Sequence, residues 1–365
     1  MRPNQNITFI YAGNINSVRI QKMANFFSRK GVVLNFVGWN RDRKNVLTDP
    51  KFSNIKYILN GGGEGTKILP LLYIVFIVKL CFYVLFNKRN FKSNIIIAIN
   101  FECAYVMYLI NKITGIRYIY DIWDEMAISH KFPKYVKKFI RRLDQSVRKS
   151  AFRYIHVDPN RLSEIDSNNF VIIYNSPFDF ISTGDCPCYE NRFAVTGWLN
   201  NTRGLKSIFE FAKSNSEIKF TIIGEFIDDK MKTNFLGLKN VEYHHFMPQE
   251  KLFNLIKNCR GIFSLYDPSI EINRLAASNK LYDAMMLSIP VVVNKGLVAA
   301  SMVEENHIGY VVNYDYDESW GQLKDFNPKE LTAMGRNGRK IYLEKYEFGN
   351  MMDNIFMPIT ELILK

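Results

Sequence analysis

The sequence predicts an α/β protein made of two doubly wound, Rossmann-like domains, and three observations carry that expectation. Short apolar runs alternate with helical patterns along the chain, the mark of parallel strands covered by helices on both faces. The alternation breaks near Asn175-Ser-Pro177 and resumes near Phe193. The 365 residues are enough for two or three domains, and 47% apolar with 23% charged residues is ordinary globular usage, which excludes a disordered or low-complexity chain. The expected boundaries are a first domain at 1–175, a second at 176–349, and a C-terminal helix near 350–365 that packs back on the first.

In chain order, 7–12 reads as a buried first strand, too short for a signal-peptide core. A helix at 18–30 follows and stops at Gly31, as a helix stops at a C-terminal glycine. Further strands are predicted at 32–39, 94–100, 118–122, 154–157 and 171–174, with a helix at 104–114 closed by Gly115. The second series has strands at 193–197, 219–224, 261–266 and 290–294, and helices at 205–213, 249–258 and 279–287.

Between the second and third of these strands lies ILPLLYIVFIVKLCFYVLF at 68–86, nineteen residues with one charge, Lys79. As a helix it is about 28 Å long, near the thickness of a bilayer's hydrocarbon. A span, an interfacial helix and a buried domain helix compete. Pro70 suits a first helical turn, and Lys79 at mid-length is costly for a span. A span would also divide one sheet between two sides of a membrane, so the expectation is a helix half in the core and half facing lipid, with Lys88, Arg89 and Lys92 beside the headgroups.

Charge is uneven. Residues 1–180 carry a net +15 and residues 181–365 a net −2, within a total of +13. A basic amphipathic stretch at 131–153 repeats Tyr135, Phe139, Ile140, Leu143 and Val147 at helical spacing between lysines and arginines. It reads either as a solvated helix face or as a docking surface for anionic lipid or a pyrophosphate-linked acceptor. The five cysteines (Cys81, Cys103, Cys186, Cys188, Cys259) are odd in number and scattered, which suits a reducing compartment and no zinc site.

Two strand-to-helix turns of the second half could hold phosphate. In the first, Ser278 or Asn279 caps a helix whose first turn contains Lys280, a cation placed where the helix end is already positive. An anion held by both the lysine and the free amides resolves that conflict. Asp283, three residues on, shares the helix face and suits ribose hydroxyls; a plain surface Lys–Asp pair is the alternative. The second turn is Thr196-Gly-Trp-Leu-Asn-Asn-Thr-Arg-Gly204, with Arg203 at the helix entrance.

These segments resemble the nucleotide-sugar domain of GT-B glycosyltransferases, especially bacterial polysaccharide enzymes related to glycosyltransferase family 4. Gly197 to Gly204 resembles the family's first glycine turn, and Ile222-Ile-Gly224 the second. Asn240 to Leu252 resembles the nucleobase-side loop and its helix, and Ser264 to Pro268 the strand before the donor loop. Ser278-Asn-Lys-Leu-Tyr-Asp-Ala-Met-Met-Leu-Ser-Ile-Pro-Val-Val292 resembles the family's signature segment. Three positions depart from the pattern: Leu275 and Asp283 stand where the family has paired glutamates, and Trp198 where it often has arginine.

The resemblance implies two domains facing across a cleft and a metal-independent, retaining hexosyltransferase that needs no cofactor; the alternative, motivated by Leu275 in place of an acid, is a non-catalytic nucleotide-sugar-binding or membrane-scaffold protein of the same fold. Arg203 and Lys280 would neutralise the leaving diphosphate, Ser278 and Asn279 would begin the phosphate-binding helix, and Asp283 would hold the ribose diol. Phe246, Met247 and Pro248 would lie near the base, Tyr266 would line the donor pocket, and the loop from Gly13 and Asn14 would close under the donor. Asp121, Asp124 and Glu125 are the candidate bases for the acceptor hydroxyl; with retention, the leaving phosphate can take the proton instead. The expected partners are a nucleotide-sugar donor, a lipid-pyrophosphate-linked glycan acceptor and an anionic membrane surface, with the protein peripheral on the cytoplasmic face of the cell membrane. A nucleic-acid ligand is not expected, since no recognition motif accompanies the basic half.

Other signals are set aside. Asp315-Tyr-Asp317 follows the last predicted strand and reads as a polar loop. Gly61-Gly-Gly-Glu-Gly65 lacks the lysine end of a phosphate loop, and His244-His245 lacks a third metal ligand.

Overall fold

A computed structural model describes residues 6–41, 48–62, 66, 68–129, 132–161, 169–181, 188–275 and 278–363. The chain divides into two compact units, Met1–Asn175 with Gly349–Lys365, and Ser176–Phe348.

The first unit is a seven-stranded, all-parallel sheet. Its strands are β1 (Asn6–Tyr11), β2 (Val33–Asn40), β3 (Phe52–Asn60), β4 (Asn94–Ile99), β5 (Ile119–Ile122), β6 (Arg153–His156) and β7 (Phe170–Ile172), in the spatial order β3-β2-β1-β4-β5-β6-β7. The order reverses between β1 and β4, so the carboxyl ends of those strands border the crevice where doubly wound folds bind ligands. β3 escaped the sequence reading for a physical reason. It is an edge strand, paired on one side with β2, and most of its side chains stay wholly or partly exposed, so it lacks the continuous apolar run of β1 or β4.

Helix α1 (Val18–Arg29) follows β1 and is succeeded by Gly31 in the left-handed region. Helix α2 (Leu69–Phe86) has Pro70 in its first turn. It connects β3 to β4 of one sheet, which makes it a crossover. Phe76, Leu80 and Val84, spaced one turn apart, are buried, whereas Leu71, Ile74, Val78, Phe82 and Phe86 are exposed, Phe86 by 84%. Length and composition alone would let α2 cross a membrane. In this fold, one face of it joins the core with β3 and the helix Asn100–Thr114. The C-terminal segment belongs to the same unit: Phe356 packs on Phe27 with ring centroids 5.5 Å apart, and Asp353 lies 2.6 Å from the Lys30 amine.

The second unit is a six-stranded parallel sheet of β8 (Glu190–Leu199), β9 (Lys219–Phe226), β10 (Val241–His244), β11 (Cys259–Ser264), β12 (Val291–Asn294) and β13 (Gly309–Val312), ordered β10-β9-β8-β11-β12-β13. Its core is aromatic, with Phe193 packed on Phe263 at 5.0 Å and Phe211 on Trp320 at 5.4 Å. β13, another short edge strand, was not anticipated. Asp317 of the Asp-Tyr-Asp segment caps the turn Glu318–Leu323 through the Ser319 amide. His244 and His245 turn to Glu242 and Glu225 at 2.9 and 2.8 Å. Gly63, Glu64, Gly65, Lys131 and Cys186 lie outside the described residues.

Candidate functional site

The site in the second unit forms where β8, β9 and β11 end. β8 and β9 pair at Gly197 and Gly224, and both glycines have positive φ, +99° and +150°. Close approach also requires the second glycine: a Cβ on Gly224 would stand 1.8 Å from the Gly197 carbonyl oxygen. A Cβ on Gly197 would stand 3.7 Å from the Lys280 amine, so that amine hangs directly over the turn. After β8 the chain makes a single turn, Asn201–Arg203, then enters the helix Leu205–Ser214 at Gly204. The turn is pinned from two sides. The Asp267 amide donates to the Thr202 carbonyl at 2.9 Å, and the Tyr314 hydroxyl donates to the Asn201 carbonyl.

The helix Asn279–Met286 begins at Ser278, whose hydroxyl accepts the Lys280 amide at 3.1 Å, the capping expected of a serine at that position. Lys280 thereby reaches Tyr266 just beyond β11. The Lys280 amine lies 5.4 Å and the Arg203 guanidinium 3.9 Å from the same Tyr266 ring centroid. Tyr266 itself is buried, and its backbone amide donates to the Asn294 side chain at 2.8 Å. Burial works to raise the Tyr266 hydroxyl's pKa, but Lys280 and Arg203, with hydrogen bonds to Ser278 and Lys280, outweigh it and leave the group below its ordinary value.

Among the described residues neither Arg203 nor Lys280 makes an ion pair, and Arg203 Nη1 is buried with no hydrogen-bond partner. Two like charges held over one ring, one with a buried orphan donor, are arranged to receive an anion. Asn294, buried at the end of β12, sets the Tyr266 backbone and was missed in the sequence. Its only signal was a polar residue closing an apolar strand.

The remaining second-unit candidates lie on neighbouring elements. Trp198, 61% exposed, meets Phe246, 49% exposed, at 5.2 Å between ring centroids in an edge-on contact. Met247 is half-buried, and Pro248 precedes the helix Gln249–Ile256. Asn279 opens the helix that carries Lys280, and Asp283 is half-buried on it.

The first-unit candidates behave differently. Gly13 is buried after β1, and its carbonyl accepts the Trp39 amide at 3.2 Å; the Asn14 side chain accepts the Asn16 amide at 3.1 Å. Asp121 is fully buried and holds Arg19 by two bonds, at 3.0 and 2.9 Å, while also accepting Trp123 Nε1 at 2.9 Å. Glu125 is buried against Arg148 at 2.8 Å, and Asp124 pairs with Arg161 at 2.9 Å. All three carboxylates expected as bases are thus taken up by arginines, an outcome no local spacing reveals.

The comparisons with known proteins agree on fold. Residues 203–349 match the model of the glucosyltransferase 3-like C-terminal domain. Glucosyltransferase 3 of Streptococcus parasanguinis is 30% identical over 104 residues, a stretch covering 28% of this chain and 31% of that protein. A sucrose-phosphate synthase from Thermosynechococcus elongatus superposes with a TM-score of 0.71 at 10% identity, covering 98% of this chain and 100% of the other. Anabaena HepE, solved in complex with UDP, superposes with a TM-score of 0.66 at 10% identity, covering 98% and 100%. The chain has the GT-B fold, and its residues 203–349 are similar to the glucosyltransferase 3-like C-terminal domain.

Proposed function

We propose that the protein is a glycosyltransferase that moves a sugar from a nucleotide-sugar donor to a lipid-linked oligosaccharide acceptor, working peripherally at the cytoplasmic face of the membrane in surface-polysaccharide synthesis. The observation that carries the reading is the pair of unneutralised cations, Arg203 and Lys280, on Tyr266. In transfer, the bond from the anomeric carbon to the diphosphate breaks and a bond to the acceptor oxygen forms. Negative charge then grows on the leaving diphosphate, and fixed cations stabilise it most as it develops. The acceptor proton passes to the leaving phosphate, the route that retention of configuration allows and that requires no protein base or metal. Trp198 and Phe246 offer exposed aromatic surface to a nucleobase or sugar.

Membrane contact is supported by the exposed apolar stripe of α2 and by Lys88, Arg89 and Lys92 just after it. The helix Lys134–Ser150 adds exposed Tyr135 and Phe139 among its basic residues.

Thermal unfolding with UDP, GDP, CMP and TDP tests the donor site, because a ligand bound only by the folded protein raises its apparent stability. One nucleotide is expected to raise the midpoint in wild type and not in Lys280→Ala. A nucleotide response unchanged in Lys280→Ala would remove the phosphate assignment. Released nucleoside diphosphate, with the sugar recovered on an acceptor lipid, separates transfer from simple binding.

A further inference from the structure

At the carboxyl ends of β2 and β3 the first unit contains a cavity of about 360 Å³, lined by Arg41, Asn60, Gly61, Gly62, Thr66, Ile68 and Leu72. Its floor is rigid. Trp39 donates from Nε1 to the Gly61 carbonyl at 2.7 Å, and the Gly61 amide donates to the Asn40 carbonyl at 2.7 Å. Trp39 also stacks on Phe76 of α2 with ring centroids 5.7 Å apart. Gly62, at φ +83°, permits the close approach of Leu72, whose Cδ1 would stand 2.2 Å from a Cβ placed there.

Arg41 is held by aromatic rings rather than by a carboxylate. Its guanidinium lies 4.6 Å from the Trp39 ring centroid and 5.1 Å from that of Tyr73, and Nη2 donates to the Tyr73 hydroxyl at 2.5 Å. Among the described residues it has no ion pair, and its Nε is buried without a partner. Glu102, the described carboxyl whose field reaches Arg41, is pushed up to about 7 by burial, so near neutral pH it only partly offsets that charge. A planar guanidinium caged by aromatic rings recognises phosphate. The cavity's rim then continues into hydrocarbon-like surface: Ile68 lines it and is exposed, and the stripe of Leu71, Ile74, Val78, Phe82 and Phe86 runs from there along α2.

We infer that this cavity holds the phosphate end of a polyprenyl diphosphate-type amphiphile, with Arg41 on the phosphate and the hydrocarbon laid on α2. The inference rests on the proposed lipid-linked acceptor and gives it a place in the fold. Among the described lining residues the one cation is Arg41, which suits one specific lipid phosphate better than the diffuse charge of a bilayer.

Co-flotation with neutral phosphatidylcholine vesicles tests it, with vesicles plain, doped with a polyprenyl diphosphate, or doped with phosphatidylglycerol. Binding to the polyprenyl diphosphate vesicles is expected to be saturable and to weaken about tenfold or more in Arg41→Gln. The same loss is expected in Asn60→Asp, which adds a repelling charge at an exposed lining position, while both variants bind phosphatidylglycerol vesicles as wild type does. Equal binding of wild type and both variants to the polyprenyl diphosphate vesicles overturns the cavity assignment and leaves the lipid-linked acceptor standing. Equal preference for the two doped vesicles overturns the specific lipid phosphate in favour of bulk anionic bilayer. If wild type ignores polyprenyl diphosphate, titration with inorganic pyrophosphate decides. Binding weakened by Arg41→Gln keeps an anion site but overturns its lipid occupant and the acceptor reading; binding indifferent to Arg41 overturns the site as well.

Discussion

Arg19 and Arg148 in the first unit, and Arg203 and Lys280 in the second, are cations set into the same kind of parallel-sheet architecture, yet they are compensated in opposite ways. Arg19 is clasped by Asp121, and Arg148 by Glu125 and Asp144. Arg203 and Lys280 meet an aromatic ring and each other's field. A buried charge without its counter-ion is expensive, so a fold either supplies the partner or leaves room for a ligand to supply it. The first pattern closes the charge within the fold, and the second leaves it for the proposed donor diphosphate. The comparison also explains why acidic residues that look catalytic in a motif can be structural once the fold brings an arginine to them.

The largest effect should come from breaking a compensated pair. Asp121→Asn strands the Arg19 guanidinium in the core and should cost about 3–5 kcal/mol in urea unfolding. A loss of activity with unchanged stability would instead return Asp121 to the chemistry. Next, Lys280→Ala removes a cation whose protein contacts are with Tyr266 and include no ion pair among the described residues. It should leave the unfolding midpoint nearly unchanged while weakening nucleoside diphosphate binding by about 1.5–3 kcal/mol in calorimetric titration.

Glu102 gives a pH-dependent contrast, since it is a carboxyl that burial raises to about 7 rather than one that an arginine lowers. The folded state holds its proton more tightly than the unfolded chain does. This stabilisation is complete at acid pH and is lost as pH rises toward and through 7. Glu102→Gln, which cannot ionise, should match wild type near pH 4 and exceed it by about 1–3 kcal/mol near pH 8 in denaturant melts. A constant difference across that range would refute the burial effect. The smallest change is expected from Asp124→Asn. Its partner Arg161 is bound at the surface, so stability should shift by less than about 1 kcal/mol with turnover retained. A collapse in turnover would make Asp124 the acceptor's base.

Much of the fold was legible because its signals are local. Alternating apolar strands and amphipathic helices, Gly31 and Gly115 after their helices, and Pro70 inside a first turn all act over a few residues. The strands that escaped, β3, β10 and β13, are edge strands whose exposed side chains or short length weaken the apolar run that betrays an interior strand. The site was half legible. Gly197, Gly224, Ser278 and Lys280 carry turn and capping chemistry that can be read in place. Asn294 and the aromatic hold on Arg41 carry none.

From its own residues, then, the chain declares two parallel-sheet units, a basic first half and two phosphate-type turns, because propensity, periodicity and turn chemistry are decided within about a dozen neighbours. Tertiary structure alone settled which charges are cancelled. Arg19 finds Asp121 across 102 positions, while Arg203 and Lys280 find Tyr266 and, among the described residues, no acid. It also settled which side of α2 is buried. A helix apolar all round has no preferred face of its own, and the sheet buries Phe76, Leu80 and Val84 while leaving the opposite stripe exposed.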